Sequence, residues 1–253
     1  MSKIISVINQ KGGVGKTTTT INLATSLAAT KKKVLIIDAD PQANASTGMG
    51  LDYDSREPSL YQLITNRTFE PKSVKKTMIP DLEIITASTD LAASEIELVD
   101  FKEREFVLRS IIQEIKDYDY IIIDCPPALG LLTINAIVAS NSVIIPLQCE
   151  FFALEGLSSL IKTIDLIKEN YNQDVLIEGI LLTMVDKRNS LSSLVEKDVR
   201  SHLGEKVYKT TIPRNVRISE APSHGKPALI YDTKCSGSIA YIELAKEIIL
   251  NQK

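Results

Sequence analysis

A glycine-rich loop between an apolar run and a helix-period segment constrains this chain more than any other feature. The loop spans residues 11–17, reads KGGVGKT, and follows the apolar run Ile4–Ile8. Glycines let backbone N–H groups curl around phosphates, and a helix that begins there presents its positive N-terminal end to the anion. The order of strand, loop and helix therefore predicts a nucleotide-phosphate site on a P-loop fold.

The loop departs from the usual pattern G-x-x-x-x-G-K-[ST], because the position of the first glycine is occupied by Gln10. The chemistry of the second half is intact. Lys16 is expected to offer its ammonium to the β- and γ-phosphates of ATP, and the Thr17 hydroxyl is placed for Mg²⁺. The residues predicted to bind the nucleotide at this loop are Lys11, Gly12, Gly13, Val14, Gly15, Lys16, Thr17 and Thr18.

Apolar runs of strand length alternate with helix-period segments along the chain. The predicted strands are Ile4–Ile8, Val34–Ile37, Leu82–Ile85, Tyr120–Ile123, Ser142–Leu147, Leu176–Thr183 and a short one at Val207–Ile212. The predicted helices are Lys16–Ala29, Leu60–Ile64, Phe101–Ile115, Leu131–Ala139, Ala153–Asn170, Leu191–Leu203 and Ser238–Leu250. Such a pattern predicts an α/β fold, a doubly wound and mostly parallel sheet with helices on both faces, in one domain over residues 1–253.

Carboxylates follow two of these strands. Asp38 and Asp40 come at the end of one strand, and Asp124 ends the apolar run before Pro126 and Pro127. A carboxylate beyond the C-terminal end of a parallel strand points into the crevice where ligands bind. Asp124 is thus expected beside the Mg²⁺ shell, while Asp38 and Asp40 can divide water-mediated contact to Mg²⁺ and orientation of the attacking water. The alternative for this pair is an acidic cluster that caps the next helix.

These motifs together resemble the ParA/MinD family of deviant Walker A ATPases. The likeness covers nearly the whole chain and includes KGGVGKT, the D-x-D-P-Q segment at residues 38–42 and the D-x-P-P segment at residues 124–127. The resemblance implies that Lys11 reaches across an ATP-dependent sandwich homodimer to the partner's ATP, that Asp40 positions the attacking water and that Asp38 sits near Mg²⁺. It also implies adenine contact by Pro213 and Asn215, although a plain turn after a strand accounts for both residue types equally well.

Within that family the chain is most similar to the chromosomal ParA type, often called Soj. The resemblance implies non-specific binding of double-stranded DNA through Arg188 and Arg217 and a ParB/Spo0J-like partner that stimulates hydrolysis. The net charge of −3 does not suggest DNA binding, but residues 184–235 carry ten basic and six acidic side chains, a local excess of +4. An ordinary solvated surface is the alternative interpretation of that excess.

Two other functions remain open at this point: a MinD-like regulator that cycles on a membrane, and a P-loop ligase that activates a carboxylate with ATP. No run of 18 apolar residues is present, and the phosphate loop begins too near Met1 for a signal peptide, so we expect a cytoplasmic protein and no membrane partner. The resemblance implies that the protein is associated with the nucleoid. The helix before Asn251 has an ordinary core-facing stripe rather than a basic amphipathic face. The odd, widely spaced Cys125, Cys149 and Cys235 predict neither disulfides nor a zinc site.

Overall fold

A seven-stranded sheet forms the centre of the computed structural model, which describes residues 2–150, 153–186 and 188–251. The strand order is β3-β4-β2-β5-β1-β6-β7, and every pairing is parallel except that of β3 with β4. The strands are Lys3–Val7 (β1), Val34–Asp38 (β2), Val74–Lys76 (β3), Leu82–Ile85 (β4), Tyr120–Asp124 (β5), Ser142–Gln148 (β6) and Leu176–Thr183 (β7). The predicted doubly wound, mostly parallel sheet is confirmed.

Helices cover both faces of this sheet. In the described residues they are Lys16–Ala28 (α1), Asn44–Gly48 (α2), Leu60–Asn66 (α3), Leu91–Glu97 (α4), Val107–Glu114 (α5), Leu131–Ala139 (α6), Ala153–Asn170 (α7), Ser190–Leu203 (α8), Val216–Glu220 (α9), Ala228–Tyr231 (α10) and Ser236–Leu250 (α11). None of these helices combines the length and the apolarity needed to cross a membrane.

Alternate residues of each central strand feed two separate cores. In β2, Leu35 and Ile37 pack under α3, α5 and α6, whereas Val34 and Ile36 pack under α1 and α11. Successive side chains of a strand point to opposite faces, so a strand buried on both sides must be apolar throughout. This is why the central strands β2 and β5 are continuous apolar runs that end in an aspartate.

Two predicted elements are wrong in extent. The helix expected over Phe101–Ile115 is regular only in α5, because Glu103 takes a left-handed conformation (φ 55°) and a single 3₁₀ turn follows at Arg104–Phe106. The strand expected over Val207–Ile212 is reduced to isolated parallel bridges, Val207 with Ile180 and Pro213 with Val185. The short β3 went unpredicted because three residues carry no readable alternation.

Candidate nucleotide-binding site

The phosphate loop joins β1 to α1 at the C-terminal edge of the sheet. Gly13 (φ 75°) and Gly15 (φ 93°) both occupy the left-handed region that side chains disfavour. A Cβ placed on Gly12 or on Gly13 would meet no atom within 4 Å, so the backbone there faces open space. Gly15 is the N-cap of α1 and brings no side chain to cap it. The loop is therefore an open cradle of N–H groups at a helix N-terminus, which suits a phosphate.

Lys16 curls back over this cradle. Its ammonium donates a hydrogen bond to the carbonyl oxygen of Lys11 at 3.2 Å, and the side chain is only 7% exposed. Burial lowers the pKa of Lys16, while the negative charge of Asp124 opposes that change. A buried ammonium is stable only beside anions, so this position favours a bound phosphate.

The end of β7 fixes the loop from the other side, a contact that the sequence did not predict. The Thr183 hydroxyl donates to the carbonyl oxygen of Val14 at 2.8 Å. A Cβ on Gly15 would lie 3.9 Å from the side chains of both Thr183 and Met184. The position of these two residues at the C-terminal end of a parallel strand was the one available signal.

Asp38 and Asp124 meet at the same edge of the sheet, because they are register partners in the parallel pairing of β2 with β5. Both side chains are fully buried. Burial raises the pKa of each carboxyl group, and the charge of Asp38 raises the pKa of Asp124 further. Two adjacent buried carboxylates are stable in their ionised form only with a cation nearby.

The oxygen atoms around Asp124 fit a divalent cation. Its Oδ1 accepts a hydrogen bond from the Thr20 hydroxyl at 3.0 Å, and the Thr17 hydroxyl also stabilises the ionised carboxylate and opposes the rise of its pKa. Its Oδ2 is buried and has no hydrogen-bond partner among the described residues. Hard oxygen ligands of this kind are those that Mg²⁺ prefers, so Thr17 and Asp124 can hold the ion.

Asp38 also accepts hydrogen bonds from α2. Its Oδ2 accepts from the backbone N–H of Ser46 at 2.8 Å and from the Ser46 hydroxyl at 2.7 Å. The helix-capping alternative for Asp38 thus has direct geometric support, and direct coordination of Mg²⁺ would compete with Ser46. Its role near Mg²⁺ remains a prediction, with water-mediated contact as the form that the geometry permits.

Asp40 lies two residues beyond Asp38, in the turn that leads into α2. Its Oδ1 accepts from the Gln42 N–H at 2.9 Å, and its side chain is almost completely buried. The charge of Asp40 raises the pKa of both Lys16 and Asp124, so the three groups share one electrostatic environment. The tertiary structure therefore brings this carboxylate into the cluster that lines the phosphate loop.

Lys11 lies on the rim of the site rather than inside it. Its side chain is 54% exposed, and its ammonium forms an ion pair with Glu150, just beyond β6. The backbone N–H of Lys11 donates to Asn9 Oδ1 at 3.0 Å, which fixes the loop below the side chain. The two lysines of the loop thus differ sharply: Lys16 points into the cradle and Lys11 points away from it.

The predicted adenine residues lie beside the end of β7. Pro213 bridges Val185, and Asn215 is the N-cap of α9. The Asn215 amide oxygen accepts from the Arg217 N–H at 2.8 Å, and its nitrogen donates to the Ser236 hydroxyl at 2.9 Å. Local contacts thus use most of the hydrogen-bonding capacity of the Asn215 amide, and adenine recognition by this residue stays a prediction.

The two arginines predicted to bind DNA are both exposed and both paired with carboxylates. Arg188 is 90% exposed and forms a two-pronged pair with Asp186, at 3.0 and 2.9 Å. Arg217 contacts Glu220 at 3.0 Å and Asp232 at 3.7 Å. Lys187, which contributes to the predicted basic excess, lies outside the described residues.

Comparison with known proteins decides the family. A family model described as an AAA domain, AAA_31, matches residues 2–177. The chromosome partitioning protein ParA of Caulobacter vibrioides is 50% identical over 254 residues, which cover 99% of this chain and 95% of that protein. The sporulation initiation inhibitor protein Soj of Bacillus subtilis is 50% identical over 252 residues, 99% of this chain and 100% of that protein. The chain belongs to the ParA/Soj family of chromosome-partitioning ATPases.

The fold of this ParA/Soj family member is also found in a synthase. Cobyrinic acid a,c-diamide synthase from Mycobacterium smegmatis, solved with a bound ATP analogue and magnesium, superposes with a TM-score of 0.87 at 31% identity. The match covers 100% of this chain and 96% of that one. The identity to ParA and Soj, at 50%, is higher than the 31% identity to the synthase, so the chain is placed with the partition family.

Proposed function

We propose that the chain, over residues 1–253, is an Mg²⁺-dependent ATPase that ATP assembles into a sandwich homodimer. The dimer binds double-stranded DNA without sequence preference, and a ParB/Spo0J-like partner stimulates hydrolysis and release. The observation that carries the proposal is the contrast between the two lysines of the loop. Lys16 is buried over its own cradle, whereas Lys11 projects from the rim, where a second protomer would meet it.

Within one protomer, the backbone of residues 11–17 and the Lys16 ammonium bind the β- and γ-phosphates, and Thr18, the third residue of α1, contacts the nucleotide next to them. Thr17 and Asp124 hold Mg²⁺, with Asp38 in contact through water. Mg²⁺ when bound neutralises charge on the phosphate oxygens. Pro213 packs against the adenine ring, and Asn215 contacts its edge.

Asp40 orients the attacking water. This role is supported by the position of Asp40 among the charged groups at the phosphate loop. Across the dimer, Lys11 places its positive charge next to the partner's transferring phosphoryl group, as an arginine finger does in other P-loop enzymes. Neither protomer alone then has the full set of charges. Hydrolysis is therefore coupled to dimerisation.

DNA binding is assigned to the surface that carries Arg188 and Arg217. Each protomer contributes only a few cations, and the chain as a whole is acidic. A dimer doubles the number of phosphate contacts, and the logarithm of the affinity falls with the logarithm of salt in proportion to that number. We therefore expect DNA binding that depends on ATP and places the protein on the nucleoid in the cytoplasm.

Two other functions predict different behaviour. The likeness to the synthase is the reason to consider a ligase. If the protein were a ligase, a small-molecule substrate would stimulate ATP turnover more than DNA and a ParB-like protein together. A MinD-like regulator would sediment with lipid vesicles when ATP is present. The ParA and Soj relatives at 50% identity favour the partition ATPase over both.

The test is co-sedimentation of the purified protein with DNA in the presence of ATP, ADP or no nucleotide, over a salt series. The proposal predicts binding only with ATP and a steep loss with salt. Arg217→Glu should weaken DNA binding and leave ATP binding unchanged. Arg109→Glu makes the same charge change on an exposed site of α5 and should bind DNA as the wild type does. Nucleotide-independent or absent DNA binding would overturn the proposal.

A further inference from the structure

Folding places Arg214 beside the Arg188–Asp186 ion pair, 26 and 28 residues away along the chain. The link is the isolated bridge between Val185 and Pro213, together with a hydrogen bond from the Arg214 N–H to the Val185 carbonyl oxygen at 3.1 Å. The groove that results is lined by Val185, Asp186, Arg188, Thr211, Pro213 and Arg214.

One carboxylate in this groove is paired with one guanidinium group and lies within the electrostatic range of a second. Arg188 donates both side-chain hydrogen bonds and its own N–H, at 3.1 Å, to Asp186. The hydrogen bonds from Arg188 lower the pKa of Asp186 to about 2, and the positive charge of Arg214 makes a smaller contribution in the same direction. Asp186 is therefore ionised near neutral pH, and two guanidinium groups against one carboxylate give the groove a net positive charge.

The arginines are accessible to a large anionic partner. Arg188, Arg214 and Arg217 are all exposed, and Arg214 forms no ion pair within the described parts of the chain. Between Arg214 and Arg217 lies Val216, which is 70% exposed. Exposed ion pairs are weak, so a phosphate that accepts two guanidinium hydrogen bonds can replace a carboxylate.

We propose that Arg214 is a third phosphate-contacting residue of the DNA surface, and that Asp186 attenuates this surface by competing with DNA phosphates for Arg188 and Arg214. This inference rests on the proposed DNA binding. The attenuation has a purpose in that scheme: it keeps the affinity of one protomer low, so that binding requires the doubled surface of the ATP dimer.

The experiment measures DNA affinity at saturating ATP over a salt series for the wild type, Asp186→Asn and Arg214→Ala. Asp186→Asn should bind several-fold more tightly. Arg214→Ala should bind several-fold more weakly and reduce the salt slope by about 2 per dimer, one contact from each protomer. Arg214→Lys keeps the charge and should retain most of the affinity. ATP-dependent dimerisation and the thermal midpoint, measured on each variant, exclude misfolding as the cause.

Asp174→Asn is the matched control for Asp186→Asn, since it removes an exposed carboxylate near the opposite end of the sheet and should leave DNA binding unchanged. If the wild type binds DNA but Asp186→Asn binds equally or more weakly, the attenuation is wrong. An unchanged salt slope in Arg214→Ala removes that residue from the surface. If the wild type itself binds no DNA with ATP, the proposed function fails and this inference falls with it.

Discussion

Asp38 and Asp124 lie directly opposite each other in neighbouring parallel strands, with both carboxyl groups fully buried and one oxygen of Asp124 left without a hydrogen-bond partner among the described residues. Without a cation this arrangement costs stability, because the charges repel and neither is solvated. A cation bound here would relieve that repulsion, which supports the proposed Mg²⁺ site.

Asp124→Asn should stabilise the nucleotide-free protein and abolish Mg²⁺-dependent nucleotide binding. The pKa of Asp124 is raised to about 8 in the folded state, so the proton that it binds stabilises the fold at acidic pH. That stabilisation is lost progressively as the pH rises from the ordinary carboxyl range to about 8. Thermal unfolding at several pH values should show a gain in Tm for the variant at pH 8 that shrinks toward pH 5. Saturating Mg²⁺ and ATP should raise the Tm of the wild type alone. A lower Tm for the variant at pH 8 would show that the carboxylate does not destabilise the empty site.

Asp40→Ala should leave ATP binding within a few-fold of the wild type, block hydrolysis and produce a persistent ATP dimer. The reason is that, in the proposed mechanism, Asp40 orients the attacking water and does not hold the nucleotide. Lys16→Ala, the matched comparison, should lose tight nucleotide binding altogether. Binding isotherms and single-turnover hydrolysis distinguish the two effects. Normal hydrolysis by Asp40→Ala would remove it from the reaction.

Lys11→Ala should bind ATP as a monomer but fail to hydrolyse it, since we propose that the side chain acts on the partner's nucleotide. Glu150, which forms an ion pair with Lys11 in the same chain, should contribute far less to dimerisation. An exposed ion pair contributes less than about 1 kcal/mol, so Glu150→Gln should change the dimerisation constant by less than about fivefold. Sedimentation velocity with ATP measures the dimerisation of both variants. If Lys11→Ala hydrolyses ATP at the wild-type rate, the exchange of lysines across the dimer is wrong.

Gly225→Ala should destabilise the fold by about 2–4 kcal/mol. Gly225 has φ 61°, and a Cβ there would lie 2.8 Å from the Gly50 Cα in the loop after α2. Left-handed strain and a backbone clash therefore add. Gly204→Ala isolates the strain: Gly204 has φ 51° but a Cβ there would meet nothing within 4 Å, so it should cost only about 1–2 kcal/mol. Urea unfolding compares the two. Equal losses would show that the contact between Gly50 and Gly225 adds no constraint.

Much of the fold was predictable because its signals are local. The buried strands are apolar on both faces, so β2 and β5 could be located within a residue, and Lys16 and Thr17 followed from the loop motif alone. Prediction failed where a single residue's backbone or a distant pairing decided the outcome. The left-handed Glu103 shortened α5, and the segment around Val207 pairs with β7 only at isolated points.

The sequence by itself determined the phosphate loop, the parallel sheet and the placing of carboxylates at strand ends, because each of these depends on residue types that are close along the chain. Only the tertiary structure decided which charges meet. The register of β2 with β5 sets Asp38 against Asp124, β7 brings Thr183 to the loop, and the Val185 bridge carries Arg214 to Asp186. Electrostatic interactions depend on distance in space and on burial, and neither quantity can be read from spacing along a chain.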